Sequence, residues 1–231
     1  MKEIKKSRYI LKSGAITVVP CTRDDLKEMS EVTSNKNQKD LYNEILGACE
    51  AHPEEGVWHT YWKVILSLKN EELVHVGGLY FGGPADRGTL AVSFQIFSDY
   101  KNRGYATCAL RLLTEWAFAQ SGIYKIEAEV EEENDAAIAV LEKNGYVMRD
   151  GNRINQSYSI EKPKPTWTGI YAVVGIILGL AFGALFGNAP IGLGIGLVGC
   201  LAFGASLDYK VNKEREEITG TKKYSRSRKK R

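Results

Sequence analysis

The sequence predicts an α/β (α+β) domain with a mixed, mostly antiparallel central sheet flanked by helices, followed by a two-helix transmembrane hairpin. Strand-like apolar runs and helical periodicities alternate along the first 162 residues, as expected for such a domain. Residues 165–207 then contain no Asp, Glu, Lys or Arg and many glycines. We therefore expect a domain at 1–162, a linker at 163–168, the hairpin at 169–207 and a basic cytoplasmic tail at 208–231.

The elements of the domain follow from apolar periodicity and from the residues that end each run. A strand at 15–19 precedes a helix with a capping signal at 22–25, and a second helix occupies 40–51. A loop with proline and glutamates follows at 52–56. Three β-branched and aromatic runs separated by turn signals then predict consecutive antiparallel strands at 61–68, 73–83 and 88–97.

The second half of the domain alternates between helices and strands. Apolar residues recur at helical spacing after residue 102, residues 124–130 alternate as a strand, and a further helix ends at Gly145. Closing strands are expected at 146–148 and 155–162. The predicted order is therefore β-α-α-β-β-β-α-β-α-β-β.

Charge and cysteine content limit the classes of function. Residues 208–231 hold ten basic and four acidic side chains, a net charge of +6, whereas the whole chain carries +3. Residues 1–165 therefore carry −3, which does not favour a nucleic acid partner for the domain. The four cysteines form no CxxC pair, and the basic N-terminus is not followed by the apolar core of a signal peptide, so a reduced, cytosolic domain is expected. The three histidines are not at a recognised metal-ligand spacing, and no metal is expected.

The stretch NRGYATCAL, residues 102–110, places a glycine and small residues where a helix begins directly after a strand. A helix start presents unpaired N–H groups and the positive end of the helix dipole, so it can bind an anion. Gly104 and Ala106 would leave room for that anion. Alternatively, Gly104 serves only the tight turn from strand to helix.

Two motifs together resemble the GNAT superfamily of N-acetyltransferases, over roughly residues 8–162. The Q/R-x-x-G-x-G/A signature of that family falls on Lys101 to Ala106, with lysine in the first position. Its second motif, N-x-x-S-I-x-V-L-E-K-x-G-F, is matched by NDAAIAVLEKNGY at 134–146, with Ala137 in place of serine. The resemblance implies an acetyl-CoA-dependent N-acetyltransferase in which a primary amine attacks the thioester directly in a ternary complex.

The resemblance also implies where the substrates bind. The pyrophosphate of acetyl-CoA would lie at the helix start, and its pantetheine arm between strands 89–97 and 124–130, which splay apart in the family. The cofactor-binding residues implied in this way are Ile96, Lys101, Asn102, Arg103, Gly104, Tyr105, Ala106, Thr107 and Asn134. The amine would enter over the two early helices and the loop around His52, Pro53, Trp58 and His59. The aromatic residues of this loop are either pocket or core.

The proton acceptor is the part of the site that the motifs define least. Many relatives carry a glutamate on the strand before the signature, whereas this strand has no acid, and Gln95 cannot take a proton at neutral pH. Leu141 stands where many relatives have a tyrosine acid, which resembles the branch that includes ribosomal-protein N-terminal acetyltransferases. Glu129 and Glu131 share one strand face and are candidate bases, or else solvated surface charges. Asn134 is a third catalytic candidate, or a helix cap.

The hydrophobic segment is long enough for two membrane spans. Residues 168–187 can cross a bilayer core as a helix, and residues 191–207 reach the short end of the permitted range, with a turn at 188–190. Small residues recur at every fourth position in both spans, which resembles the glycine-zipper hairpins of bacterial membrane proteins and allows a hairpin or a homo-oligomer.

Basic residues flank the hairpin on both sides and the turn has none, so both termini are expected to be cytosolic, at the cytoplasmic membrane. The basic tail would lie against anionic lipid headgroups, with nucleic acid as the rival partner. Two other functions remain open. One is a non-catalytic acyl-CoA-binding module on a membrane anchor, and the other is a membrane scaffold assembled through its glycine stripes.

Overall fold

The computed structural model describes residues 9–68, 72–151 and 154–219, which fall into two compact units, one ending at Lys162 and one beginning at Pro163. Within the described residues, the first unit forms an eight-stranded sheet with helices, and the second is a pair of apolar helices. The predicted α/β fold of the domain is confirmed, and two apolar helices follow it as expected. Half of the predicted basic tail, residues 220–231, lies outside the described residues.

The first half of the sheet domain contains β1 (Leu11–Ser13), β2 (Ile16–Pro20), α1 (Arg23–Val32), α2 (Lys36–Ala51), α3 (Gly56–His59), β3 (Tyr61–Ser67), β4 (Leu73–Phe81) and β5 (Thr89–Ile96). β1 and the short helix α3 are additions to the predicted order. A capping box starts α1, because the Thr22 hydroxyl accepts a hydrogen bond from the Asp25 N–H at 3.1 Å and the Asp25 carboxylate accepts one from the Thr22 N–H at 2.7 Å. α2 starts earlier than expected, since the Asn35 side chain accepts hydrogen bonds from two N–H groups of its first turn.

The second half contains α4 (Tyr105–Ala119), β6 (Lys125–Glu131), α5 (Asp135–Lys143), β7 (Val147–Gly151) and β8 (Asn155–Glu161). The strands lie in the order β1-β2-β3-β4-β5-β6-β8-β7, and the pairs are antiparallel except for β5 with β6. β5 and β6 are joined by only three residue pairs, from Thr89–Lys125 to Ala91–Glu127. Beyond these pairs the two strands separate and leave a gap.

The core of this unit lies between the sheet and the helices. Its most deeply buried apolar side chains are at most 1% exposed, among them Val18, Trp62, Val64, Val76, Leu79, Leu90, Leu110, Leu113 and Ile126. One polar pair is buried with them, because the hydroxyl groups of Thr114 and Tyr146 are hydrogen-bonded at 2.9 Å. Burial raises the pKa of Tyr146 to about 12, against the opposing effect of that hydrogen bond. Tyr146 is therefore neutral and ties the end of α5 to α4.

The second unit consists of α6 (Trp167–Leu185) and α7 (Ala189–Thr219), both long and apolar enough to cross a membrane by length and composition. Their backbones approach closely through glycine. A Cβ atom on Gly179 would lie 2.8 Å from the Gly192 carbonyl oxygen, and one on Gly196 would lie 2.6 Å from the Gly175 carbonyl oxygen. No side chain therefore fits between the helices at these positions.

The charged end of α7 caps the start of α6. The Asp208 carboxylate accepts hydrogen bonds from the N–H groups of Trp167 and Thr168 at 2.9 and 3.0 Å, and from the Thr168 hydroxyl at 2.6 Å. Backbone N–H groups that a helix start leaves unpaired are thus bound by the neighbouring helix. α7 continues past Leu207, where the second span was expected to end, because its charged residues are good helix formers.

Candidate functional site

A groove of about 590 Å³ lies along the part of β5 that is not paired with β6, beside the starts of α4 and α5. Its lining comes from α2, β4, β5, the loop before α4, the first turn of α4, Asn134 and one face of α5 along its whole length. The lining residues are Leu41, Tyr80, Ser93, Phe94, Gln95, Ile96, Tyr100, Lys101, Asn102, Gly104, Tyr105, Ala106, Thr107, Asn134, Ala136, Ala137, Ala139, Val140 and Lys143. The fold therefore brings both sequence motifs to one cavity.

The start of α4 has the geometry of an anion site. Gly104 precedes the helix with φ +79°, a left-handed conformation, and a Cβ atom there would meet no described atom within 4 Å. The first helical hydrogen bond runs from the Cys108 N–H to the Gly104 carbonyl at 3.0 Å. The N–H groups of Tyr105, Ala106 and Thr107 precede this bond, so they lie at the positive end of the helix dipole. The open space at Gly104 and the N–H donors of the first turn of α4 thus lie together at the groove.

The edge of β5 that faces the gap offers main-chain groups to the groove. From Val92 to Ile96 this strand is paired with β4 on one side, whereas its pairing with β6 ends at Ala91. An extended ligand can hydrogen-bond to such an edge as an added strand would. On the other side of β5, the backbone of Gly77 in β4 lies so close to the main chain of β5 that a side chain at position 77 would collide with it.

The charge of the groove is positive. Lys101 and Lys143 line it, and no Asp or Glu is among the described residues that do so. Asn134 also lines it, and its Oδ1 atom accepts a hydrogen bond from the Ala137 N–H at 3.1 Å. Asn134 therefore caps α5, as one of the two interpretations expected, and it also borders the cavity.

The structure does not bring Glu129 and Glu131 to the groove. β6 buries Ile126, Ala128 and Val130 on one face, and the two glutamates share the opposite, exposed face, as the alternation predicted. Glu129 borders a separate depression of about 250 Å³ with β7 and β8. Both glutamates thus lie where solvated surface charges are expected, which was the alternative to their being catalytic bases.

Arg103 is likewise outside the lining of the groove. Its guanidinium carbon lies 5.9 Å from the centre of the Tyr100 ring, a cation–π distance, and Tyr100 is itself a lining residue. The Arg103 side chain therefore lies against the ring of a lining residue and does not itself border the groove.

The loop expected to admit the acceptor is divided between core and surface. Trp58 packs on Phe81 and Trp116, with ring centres 5.7 and 5.2 Å apart, and so belongs to the core. The rings of His52 and His59 stack on each other with centres 4.8 Å apart, outside the groove. Leu41 of α2 and Tyr80 of β4 border the groove instead.

Several lining residues were not predicted from the sequence. Ala136, Ala139, Val140 and Lys143 recur at helical spacing after Asn134, and this periodicity could have identified them. No local signal marks Leu41 and Tyr80, which reach the groove only through the packing of α2 and the register of β4.

One half-buried histidine, His75, lies on β4. The His75 Nε2 atom is 2.9 Å from the Gly77 carbonyl oxygen, and its ring meets that of Phe97 edge-on at 4.9 Å. Burial, together with the positive charge of Lys63, lowers the pKa of His75 to about 4. His75 is therefore neutral at physiological pH and donates to the Gly77 carbonyl.

Comparisons with known proteins agree with this architecture. The profile of the acetyltransferase (GNAT) domain family matches residues 16–147. YjdG, an uncharacterized N-acetyltransferase of Bacillus subtilis (strain 168), is 27% identical over 85 residues, which are 37% of this chain and 50% of that protein. The chain thus spans half the length of the curated relative that it matches.

Solved structures share the fold of the sheet domain. The ribosomal-protein-S5-alanine acetyltransferase from Vibrio fischeri is similar with a TM-score of 0.53 and 12% identity, over 66% of this chain and 96% of that one. RimL, a ribosomal L7/L12 α-N-protein acetyltransferase in complex with coenzyme A, is similar with a TM-score of 0.52 and 12% identity, over 66% and 97% of the two chains. Identities this low are evidence of the fold alone.

Proposed function

Because the chain belongs to the acetyltransferase (GNAT) domain family, we propose that it transfers an acetyl group from acetyl-CoA to a primary amine in the groove beside α4. The observation that carries this proposal is the groove itself. It joins unpaired N–H groups, open space at Gly104 and two lysines, without a carboxylate among the described lining residues. Such a site favours the phosphates of coenzyme A, because donors and positive charge face a polyanion.

In the proposed reaction, both substrates meet in a ternary complex. The amine nitrogen attacks the thioester carbonyl carbon, and the carbon–sulfur bond breaks. The departing thiolate takes up a proton, while the new acetylated nitrogen loses one, so atoms and charge balance. The chain supplies binding and orientation, with the main chain of β5 available to an extended substrate arm.

The proton of the amine has no carboxylate to accept it among the described groove residues. We therefore assign its removal to solvent water, and Tyr80, Ser93 and Gln95 are the polar side chains that can hold such a water in the groove. Glu129 and Glu131 have no part in this mechanism.

The test uses the full chain purified in detergent. Acetyl-CoA binding is measured by calorimetry, and thiol release is followed with a polyamine, free amino acids and a peptide with a free N-terminus. We expect saturable binding and thiol release that depends on one class of amine, with the acetylated product identified by mass spectrometry. Binding without turnover on any amine would instead indicate a non-catalytic acyl-CoA-binding module, and no binding would refute the proposed function.

The apolar helices support a second part of the proposal, attachment to the cytoplasmic membrane. Large apolar side chains of both helices are exposed, among them Ile177 at 63%, Phe182 at 57% and Ile195 at 72%, and lipid would cover them. We propose that α6 and α7 cross the membrane as a hairpin with both termini cytosolic. The basic residues after α7 would then meet anionic headgroups.

The glycine contacts between α6 and α7 favour a hairpin within one chain, with a homo-oligomer as the alternative. Topology is testable by labelling in intact bacterial cells, in a background where the four native cysteines are serine. Asn188→Cys, in the turn, should react with a membrane-impermeant maleimide, whereas Lys213→Cys, after the second span, should react only after lysis. Equal labelling of both, or a chain that fractionates without membranes, would contradict the hairpin.

A further inference from the structure

Three side chains with metal-binding chemistry meet in the connection between α2 and β3. His52 follows the last residue of α2, Glu55 lies in the short 3-10 helix Pro53–Glu55, and His59 ends α3. One ligand atom from each lies within 4.8 Å of the others. None of the three lines the groove, so this cluster is separate from the proposed acetyl-transfer site.

His59 is the fixed member of this cluster. Its side chain is 11% exposed, and its Nε2 atom is buried without a hydrogen-bond partner among the residues that the structure describes. The nearest acid, Glu55, places Oε2 at 3.8 Å, which is too long for a hydrogen bond. A buried polar atom without a partner costs stability, and a ligand between these atoms would remove that cost.

The backbone that carries His59 is held on both sides. Trp58 packs against Phe81 and Trp116, and the Trp62 indole N–H donates a hydrogen bond to the Val57 carbonyl at 3.3 Å. The Thr60 hydroxyl donates to the carbonyl of the residue that follows β2, at 2.8 Å. The ring is thus preorganised, as a metal ligand requires.

The two other members can close on His59. His52 and Glu55 are exposed, and the His52 ring already stacks on the His59 ring at 4.8 Å with 14° between their planes. Ligand atoms of a tetrahedral zinc ion are about 3.4 Å apart, given bonds of about 2.1 Å. To bind one ion, the exposed His52 and Glu55 side chains would rotate, since an imidazole nitrogen binds an ion in the plane of its ring and the two stacked rings are nearly parallel.

We propose that His52, Glu55 and His59 form a zinc site that clips the end of α2 to the start of β3. Two imidazoles and one carboxylate are a ligand set that suits zinc and leaves the fourth position to water. The spacing H-x-x-E-x-x-x-H escaped prediction because it fits neither a single helix nor a known finger. The turn through Pro53 brings the ligands together.

Zinc chloride titrated calorimetrically into the full chain in detergent tests the site. We expect one zinc ion per chain for the wild type, and affinity weaker by more than about tenfold in Glu55→Gln and in the double variant His52→Asn, His59→Asn, since even outer partners of a metal site cost 10–100-fold. Glu54→Gln, on the same 3-10 helix but outside the cluster, is the matched control and should bind as the wild type does. Zinc should also raise the melting temperature of the wild type and the control only.

Two results would overturn the proposal. One is the absence of saturable zinc binding by the wild type. The other is unchanged affinity in Glu55→Gln and in the double variant, which would place the ion on cysteines or elsewhere. Should the double variant fail to fold, Glu55→Gln decides alone, because Glu55 is half exposed and its replacement keeps its shape.

Discussion

Replacing Gly104 by Asn or Asp tests the anion site with little cost to the fold. Both residues tolerate the left-handed conformation that Gly104 adopts at φ +79°, and a Cβ atom there meets no described atom within 4 Å. We therefore expect the free energy of unfolding to fall by only about 1 kcal/mol. The affinity for acetyl-CoA should fall much further, because the new side chain occupies the space in front of the N–H groups of α4.

The difference between the two variants isolates charge. An Asp carboxylate about 5 Å from a phosphate is repelled by about 1 kcal/mol in bulk water and by about 3 kcal/mol at an effective dielectric constant of 20. Gly104→Asp should therefore bind acetyl-CoA about 5- to 150-fold more weakly than Gly104→Asn. Calorimetric titration of the full chain in detergent measures both affinities, and thermal unfolding measures the cost to the fold.

Gly122 provides the matched control. It lies in the turn after α4 with φ +80°, a Cβ atom at this position would also meet no described atom within 4 Å, and the residue does not line the groove. Gly122→Asn and Gly122→Asp should thus lose the same stability and keep the affinity of the wild type. If Gly104→Asp binds acetyl-CoA as tightly as Gly122→Asp does, the pyrophosphate does not lie at this helix start.

Four further predictions concern groups outside this helix start. Burial lowers the pKa of His75 to about 4, so between pH 4 and 6.5 the unfolded chain binds a proton at this residue that the folded chain does not bind. The free energy of unfolding should therefore rise with pH in that window by up to about 3 kcal/mol. In urea melts, His75→Asn should lose this part of the pH dependence. Tyr146→Phe leaves the buried Thr114 hydroxyl unpaired and should cost about 1–3 kcal/mol in thermal melts, part of which Thr114→Val should restore. Asp208→Ala removes the cap of α6 and should speed hydrogen exchange of the first amides of that helix in detergent, whereas unchanged exchange would mean that the cap contributes nothing. Finally, the plot of kcat/KM against pH should change slope at the pKa of the acceptor amine, and this pH should differ between amines of different pKa. A change of slope at the same pH for all amines would indicate a base on the enzyme.

Most elements of the sheet domain could be predicted because each has one apolar face against a common core. β6 is an example, since Ile126, Ala128 and Val130 are buried on alternate positions. β1 was missed because Leu11–Ser13 is too short to show alternation, and only its pairing with β2 across the turn at Gly14 makes it a strand. The second span was expected to end at 207, and α7 itself continues to Thr219, because loss of hydrophobicity at Asp208 does not stop a helix.

Some residues of the candidate site could be identified from local sequence signals, whereas the positions of others depend on how distant parts of the chain pack. The residues from Lys101 to Thr107, Arg103 apart, line the groove, and the sequence could single them out because a glycine and a helix start are local properties of the chain. Period-two alternation correctly put Glu129 and Glu131 on one face, but which face meets the groove depends on how β5 and β6 separate. No pattern within one strand contains that information.

The three residue pairs that join β5 to β6 leave the sheet divided into a five-stranded and a three-stranded part. Main-chain amides of Val92 to Ile96 that point away from β4 lack a strand partner in the free protein, so deuterium should enter them quickly. An acetyl-CoA arm seated along that edge would slow this uptake, because the substrate would then serve as the missing strand between two incomplete halves.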